Sequence, residues 1–205
     1  MKKAMLVALI GIIGASLLVG CGNSDKNKND TSKNQTQVEQ TKKDDKIIEY
    51  KSGIYEVGKD LPAGEYLVAR DKIDKEVETS ILVAKDSKKE DAIYDESIDG
   101  DVYVTVQNGQ FLDVQNGNIF EMEKAPTNTP KDKVYKDGMY KVPRDIKAGT
   151  YEVKAVKDDG TVEIYKDSKH TKDSLVSKKE FKKTEKITLK DGEYVTLDDA
   201  EITVK

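Results

Sequence analysis

Side chains able to do chemistry are few and scattered in this chain of 205 residues, which has one histidine, His170, and one cysteine, Cys21. His170 lies in the polar stretch KDSKHTKDS and reads as part of a solvent-facing turn. A lone imidazole excludes a histidine-rich metal centre, and a Ser/His/Asp triad would need Ser168 or Ser174 held rigidly by loops. No GxSxG elbow, phosphate-binding GxxxxGK(S/T) loop, HExxH helix or twelve-residue calcium loop is present. A single cysteine excludes an internal disulfide framework and any cysteine-based zinc or iron-sulfur cluster. Carboxylates are abundant, at 39 Asp plus Glu, so paired-carboxylate hydrolysis has the means but no privileged pair. Asp158-Asp159 and Asp198-Asp199 read as solvated turns rather than calcium ligands. No catalytic residue, metal or cofactor is assigned.

One constellation does recur. The segment D-(L/I)-x-A-G-x-Y occurs at Asp60 to Tyr66 and again at Asp145 to Tyr151. Gly64 and Gly149 are expected to turn the backbone with positive φ, and Tyr66 and Tyr151 to open a strand, pack their rings and present a hydroxyl. Asp60 and Asp145 suit backbone N–H bonds within that turn. The same four side chains, Asp60, Tyr66, Asp145 and Tyr151, are the candidate ligand-binding residues, with the local structural role as the simpler account.

Cys21 has a more specific context. Met1-Lys2-Lys3 is followed by AMLVALIGIIGASLLVG, an apolar run that as a helix reaches only about 25 Å at roughly 1.5 Å per residue. That is short for a membrane span and normal for a signal peptide. Leu18-Val19-Gly20-Cys21 resembles the lipobox of bacterial lipoproteins, with Leu18, Val19 and Gly20 as the signal peptidase recognition residues. The resemblance implies removal of residues 1–20, diacylglycerol on the Cys21 thiol, and a protein anchored to the cell membrane on its extracellular side. Two acyl chains meet the two-signal requirement for durable attachment, so the bilayer is the expected partner without being spanned.

Gly22 to Lys46 has Val38 as its only sizeable apolar side chain. Such a tract buries too little surface to offset its ordering entropy, and as a flexible chain it would space the rest roughly 25–30 Å from the membrane. After loss of Lys2 and Lys3, 33 basic residues face 39 acidic ones, a net charge of −6, with only Arg70 and Arg144 as arginines. Nucleic acid is therefore not an expected partner.

An internal repeat organises the remainder. YKSGIYEVGKDLPAGEYLV from Tyr50 aligns without gaps on YKDGMYKVPRDIKAGTYEV from Tyr135, and VYVTVQNGQFLDVQNGNI from Val102 aligns on EKITLKDGEYVTLDDAEI from Glu185. The units run over 47–123 and 133–205, after a signal over 1–20 and a lipidated tether over 21–46. A connector over 124–132 carries Pro126 and Pro130. In the second copy Pro143 replaces Gly58, so a left-handed conformation there is not expected to be shared.

Val102, Val104 and Val106 alternate with Tyr103 and Thr105, and Asn108-Gly109 then supplies a tight hairpin, a device repeated at Asp191-Gly192. The expected fold is all-β, two small antiparallel β-sandwich-like or barrel-like units, each sheet with one wet face. KDSKKEDAIYD and SLVSKKEFKK are the two places where a short helix competes. The shared G-x-Y-x-V-x-x-D-(I/L)-x-A-G-x-Y, over 53–66 and 138–151, resembles a repeat of secreted and lipid-anchored Gram-positive proteins. That resemblance implies a β-rich extracellular domain and brings no catalytic residue.

Units of this size gain stability by packing on each other, which also creates a groove between them. The expected function is a noncatalytic binding or scaffold module for a protein or cell-wall polymer. The alternatives are a carboxylate-dependent envelope glycan hydrolase and a purely structural or stress-linked envelope lipoprotein.

Overall fold

Among the described residues, sixteen short strands follow from the alternation and from the glycine and asparagine punctuation at the tight turns. The computed structural model describes residues 49–71 and 77–204. The signal, Leu18-Val19-Gly20, Cys21 and the tether lie outside the described residues. The first half holds β1 (Glu49–Tyr50), β2 (Gly53–Glu56), β3 (Gly64–Arg70), β4 (Thr79–Ala84), β5 (Ala92–Ile98), β6 (Val102–Val106), β7 (Phe111–Gln115) and β8 (Gly117–Glu121). The second holds β9 (Val134–Tyr135), β10 (Gly138–Lys141), β11 (Gly149–Ala155), β12 (Gly160–Tyr165), β13 (Leu175–Phe181), β14 (Thr184–Leu189), β15 (Tyr194–Asp198) and β16 (Ala200–Thr203).

Four antiparallel four-stranded sheets result, in the orders β1-β8-β3-β6 and β2-β7-β4-β5 in the first half, and β9-β16-β11-β14 and β10-β15-β12-β13 in the second. Adding eight to each strand number of the first half gives the second, so the duplication extends to every pairing. Eight strands distributed in this order over two sheets form a jelly roll, a sandwich that remains open at its edges. Alternate residues fill the space between the sheets: Tyr66, Val68, Ile81, Val83, Val104 and Leu112 in the first core, and Val153, Val162, Ile187, Val195 and Ile202 in the second.

Turn chemistry is copied atom for atom. Gly109 and Gly192 take φ of +86° and +87°. The turns close with Gln110 N–H donating to the Gln107 carbonyl and Glu193 N–H to the Lys190 carbonyl, both at 3.1 Å. Gly109 and Gly192 also donate to the carbonyls of Val57 and Val142. Gly58 has φ +96° whereas the matching position is a proline after a cis Val142-Pro143 bond, so the two copies differ there as expected.

Three local expectations are corrected. Gly64 and Gly149 do not adopt positive φ; each starts a strand, and the ring of the tyrosine two residues on lies 3.8 or 3.6 Å from where a Cβ would be. Of the two candidate helical stretches, 174–183 falls mostly on β13, whereas 85–95 is a turn and loop over 85–91 that only then enters β5, and the only helical turn among the described residues is a 3-10 turn at Lys172–Ser174. The dense polar residues of the first belong to the turn between β4 and β5, and those of the second to an edge strand that faces water on most positions, where charge is common. Lastly, β6 has no wet face: Tyr103 is as buried as Val102 and Val104, because the second sandwich covers it.

Candidate functional site

The covered face of the first sandwich is where the two copies meet, and it is the most chemically concentrated part of the molecule. Leu67 and Tyr103 are cross-strand partners on the outside of the first sheet, and both are fully buried. Met139 and Tyr194, on the outside of the sheet containing β10 and β15, join the first core. Tyr103 and Tyr194 meet edge to face at 5.7 Å. The backbones touch at Gly100 and Gly138, where Met139 N–H donates to the Asp101 carbonyl at 2.8 Å. A Cβ on Gly100 would lie 2.3 Å from the Asp137 carbonyl oxygen, so only glycine permits that approach.

Polar groups thread this apolar seam. Glu65 of β3 accepts from the Ser168 hydroxyl at 2.9 Å, from the Tyr194 hydroxyl and from the Lys141 ammonium. Burial is the largest influence on the Lys141 pKa and pulls it down, but the bonds and charges of Glu65 and Tyr194 together outweigh it and hold the ammonium above the ordinary lysine value. Ser168 is fully buried, and its carbonyl accepts the Thr105 N–H at 2.7 Å. Two residues on, His170 bonds through Nε2 to the Tyr103 carbonyl at 2.8 Å. Its ring stacks on Tyr94 of β5 at 3.8 Å with Tyr165 at 5.6 Å. Nδ1 is buried with no hydrogen-bond partner, and burial holds the imidazole pKa below its ordinary value. His170, expected in a solvent-facing turn, is instead half-buried, and with Ser168 it clasps the first sandwich, while Lys166, Lys169, Thr171, Lys172 and Asp173 of the same loop are exposed.

Of the four candidate ligand residues, three serve their own turns. Asp60 accepts the Glu56 N–H at 2.9 Å. The Tyr66 hydroxyl donates to the Pro62 carbonyl and that of Tyr151 to the Lys147 carbonyl, each at 2.7 Å. Burial raises the Tyr66 pKa to about 12. Asp145 does the same turn work, accepting the Lys141 N–H at 2.9 Å, but it is buried where Asp60 is exposed. It also accepts from the Tyr103 hydroxyl at 2.5 Å and the Asn128 N–H at 2.8 Å. Together with Arg144, whose guanidinium reaches the Ala125 and Pro126 carbonyls, it pins the connector against the second sandwich.

None of the four lines a cleft at the seam of about 760 Å³, bordered by Arg70, Asp71, Asp99, Asp101, Asn128 and Asp137. There Arg70 pairs with Asp99, and Asp101 accepts the Arg70 N–H at 3.0 Å. Burial raises the Asp137 carboxyl above its ordinary value, with Asp199 and Asp198 adding to the effect. Among the described residues no group of three His, Cys, Asp or Glu is placed to hold a metal ion. Glu65 and Lys141 escaped sequence reasoning, and Ser168 and His170 were weighed there only as a triad and a solvent-facing turn. A signal for the seam existed, since the two copies differ on the face they share: Leu67-Tyr103 in the first sandwich corresponds to the exposed cross-strand pair Glu152-Lys186 in the second.

Compared with family models, curated proteins and solved structures, the chain matches none.

Proposed function

We propose that this chain is a noncatalytic binding or scaffold module held at the outer surface of the cell membrane through diacylglycerol on Cys21. The observation that carries it is the seam, where buried apolar and polar contacts join two duplicated sandwiches into one body. A chain that merely spaced two independent modules would have no need of Glu65, Ser168 and Asp145 between them. Fixed geometry suits presentation of surface to a protein or cell-wall polymer, because little ordering entropy is left to lose on binding. Crosslinking in intact cells, followed by identification of what is captured, tests it. Capture by the wild type that is lost in Cys21→Ser supports anchored binding, whereas turnover of envelope glycan by the purified protein, abolished by a point mutation, overturns it.

One observation favours the hydrolase alternative. The cleft sets a carboxyl with raised pKa, Asp137, near carboxylates engaged by Arg70, and carboxyls with divergent environments are what general acid and base work needs. Release of reducing sugar from peptidoglycan by the wild type but not by Asp137→Asn would establish it.

A further inference from the structure

In each sandwich the fifth strand is an open edge, bonded on one side only: β5 to β4, and β13 to β12. The two edges are equivalent in length, in their bulge next to the neighbouring strand, and in register. Their charges are opposite at two matched positions, while Glu180 of β13 matches the uncharged Ser97 of β5. Asp95 pairs with Leu82 and Glu96 with Ile81; at the matching places Lys178 pairs with Glu163 and Lys179 with Val162. All four charged residues are exposed.

The surroundings extend the contrast. From Glu90 to Asp101 there are six acidic residues and no basic one, although Lys85, Lys88 and Lys89 precede them, while residues 178–186 hold five lysines, Lys186 of them on β14, and two glutamates, Glu180 and Glu185. Over residues 49–130 there are 18 acidic and 9 basic residues, and over 131–205 there are 16 and 18. Bare strand edges are templates for pairing, and a protein that only guards them does well with any charge. Like charges on both edges would keep copies apart most effectively, yet here the duplicated positions have opposite signs.

We propose that two copies of this chain associate by antiparallel pairing of the β5 edge of one with the β13 edge of the other, setting Asp95-Glu96 against Lys178-Lys179. Main-chain hydrogen bonds join the strands, as in other strand additions. Neighbouring side chains on a strand point to opposite faces, so each charged pair matches its counterpart on both faces of the extended sheet. Exposed Leu175 and Val176 fall at the end of the same edge and gain cover. The existing ion pairs of Lys178 with Glu163 and Lys179 with Glu185 leave both lysines about half exposed, and because the charge of Glu96 in the same chain already reaches Lys178, the contact between copies has to compete with that attraction. Because the two surfaces differ, the contact closes into a dimer when used twice and otherwise extends head to tail.

The test uses the full chain in mild detergent, carrying two different affinity tags, with co-purification and sedimentation as readouts. Wild-type copies are expected to co-purify at low salt and to separate as salt is raised. Asp95→Lys/Glu96→Lys has two basic edges and Lys178→Glu/Lys179→Glu two acidic ones, so each alone should associate at least about tenfold more weakly. Mixed together, the two variants should regain association, an outcome that misfolded variants could not produce. Wild-type protein that stays monomeric at low salt, or variants that self-associate as well as the wild type, or a mixture that fails to recombine, would each overturn the proposal.

Discussion

The Tyr103 hydroxyl donates to the Asp145 carboxylate across the seam at 2.5 Å, so a side chain from the first repeat completes a turn of the second repeat whose counterpart at Asp60 the first repeat makes by itself. Tyr103→Phe keeps the ring against Tyr194 and removes one of three donors to a buried carboxylate. A buried acceptor short of a donor costs about 1–3 kcal/mol. Urea denaturation should show that loss, whereas Tyr66→Phe and Tyr151→Phe, whose hydroxyls meet only their own turns, should cost less.

Gly100 has no space for a side chain because the Asp137–Gly138 backbone occupies it. Gly100→Ala must push the two sandwiches apart, and overpacking of this kind costs about 1–3 kcal/mol. Parting would uncover Leu67 and Met139, so increased binding of a hydrophobic dye below the melting transition is the expected reading. Unchanged dye binding and stability would show that the seam yields elsewhere.

Within the first core, a Cβ on Gly117 would sit 2.9 Å from Thr79 Cγ2, 3.0 Å from Val68 Cγ1 and 3.1 Å from Val114 Cγ1. The second sandwich has Ala200 at the same place, with Gly160 where the first has Thr79. Gly117→Ala is expected to destabilise by about 1–3 kcal/mol, and Thr79→Gly added to it should restore part of the loss. Additive effects of the two changes would break the proposed compensation.

His170 offers a pH readout. Burial lowers its folded pKa below the ordinary value, while the unfolded value stays near 6.5. The unfolded chain therefore binds the proton first as pH falls. Stability from the neutral imidazole is complete above about pH 6.5 and is lost as pH drops from there through the folded pKa. The melting temperature of the wild type should fall more steeply from pH 7 to pH 5 than that of His170→Phe, which keeps the stack on Tyr94. NMR can follow the single histidine directly, and a folded pKa at or above 6.5 would contradict the assignment.

The two sandwiches were legible because their signals are local. Alternation at Val102, Val104 and Val106, glycine at the tight turns and the gapless match of Tyr50 to Tyr135 need no knowledge of the rest of the chain. The seam was not, since it rests on contacts between distant residues. Tyr103 reads as the wet side of a strand until something covers it, and His170 reads as a turn residue until Tyr94 lies beneath it. The charged edge strand β13 mimicked helix for a related reason: lysines and glutamates at an open edge follow solvent rather than a period of two. Candidate residues Asp60, Tyr66 and Tyr151 were noticed through repetition, which here marks shared turn geometry, while Glu65 and Lys141 matter through departure from it.

That departure also sets how many repeats can stack. A tandem array lengthens when each new copy offers the face its predecessor needs. Here Leu67 and Tyr103 give way to Glu152 and Lys186 on the corresponding face of the second sandwich, which water now covers. A third copy joined after the second would find no apolar footing and would hang as an independent bead, so the stack is terminated at two by the chemistry of one sheet.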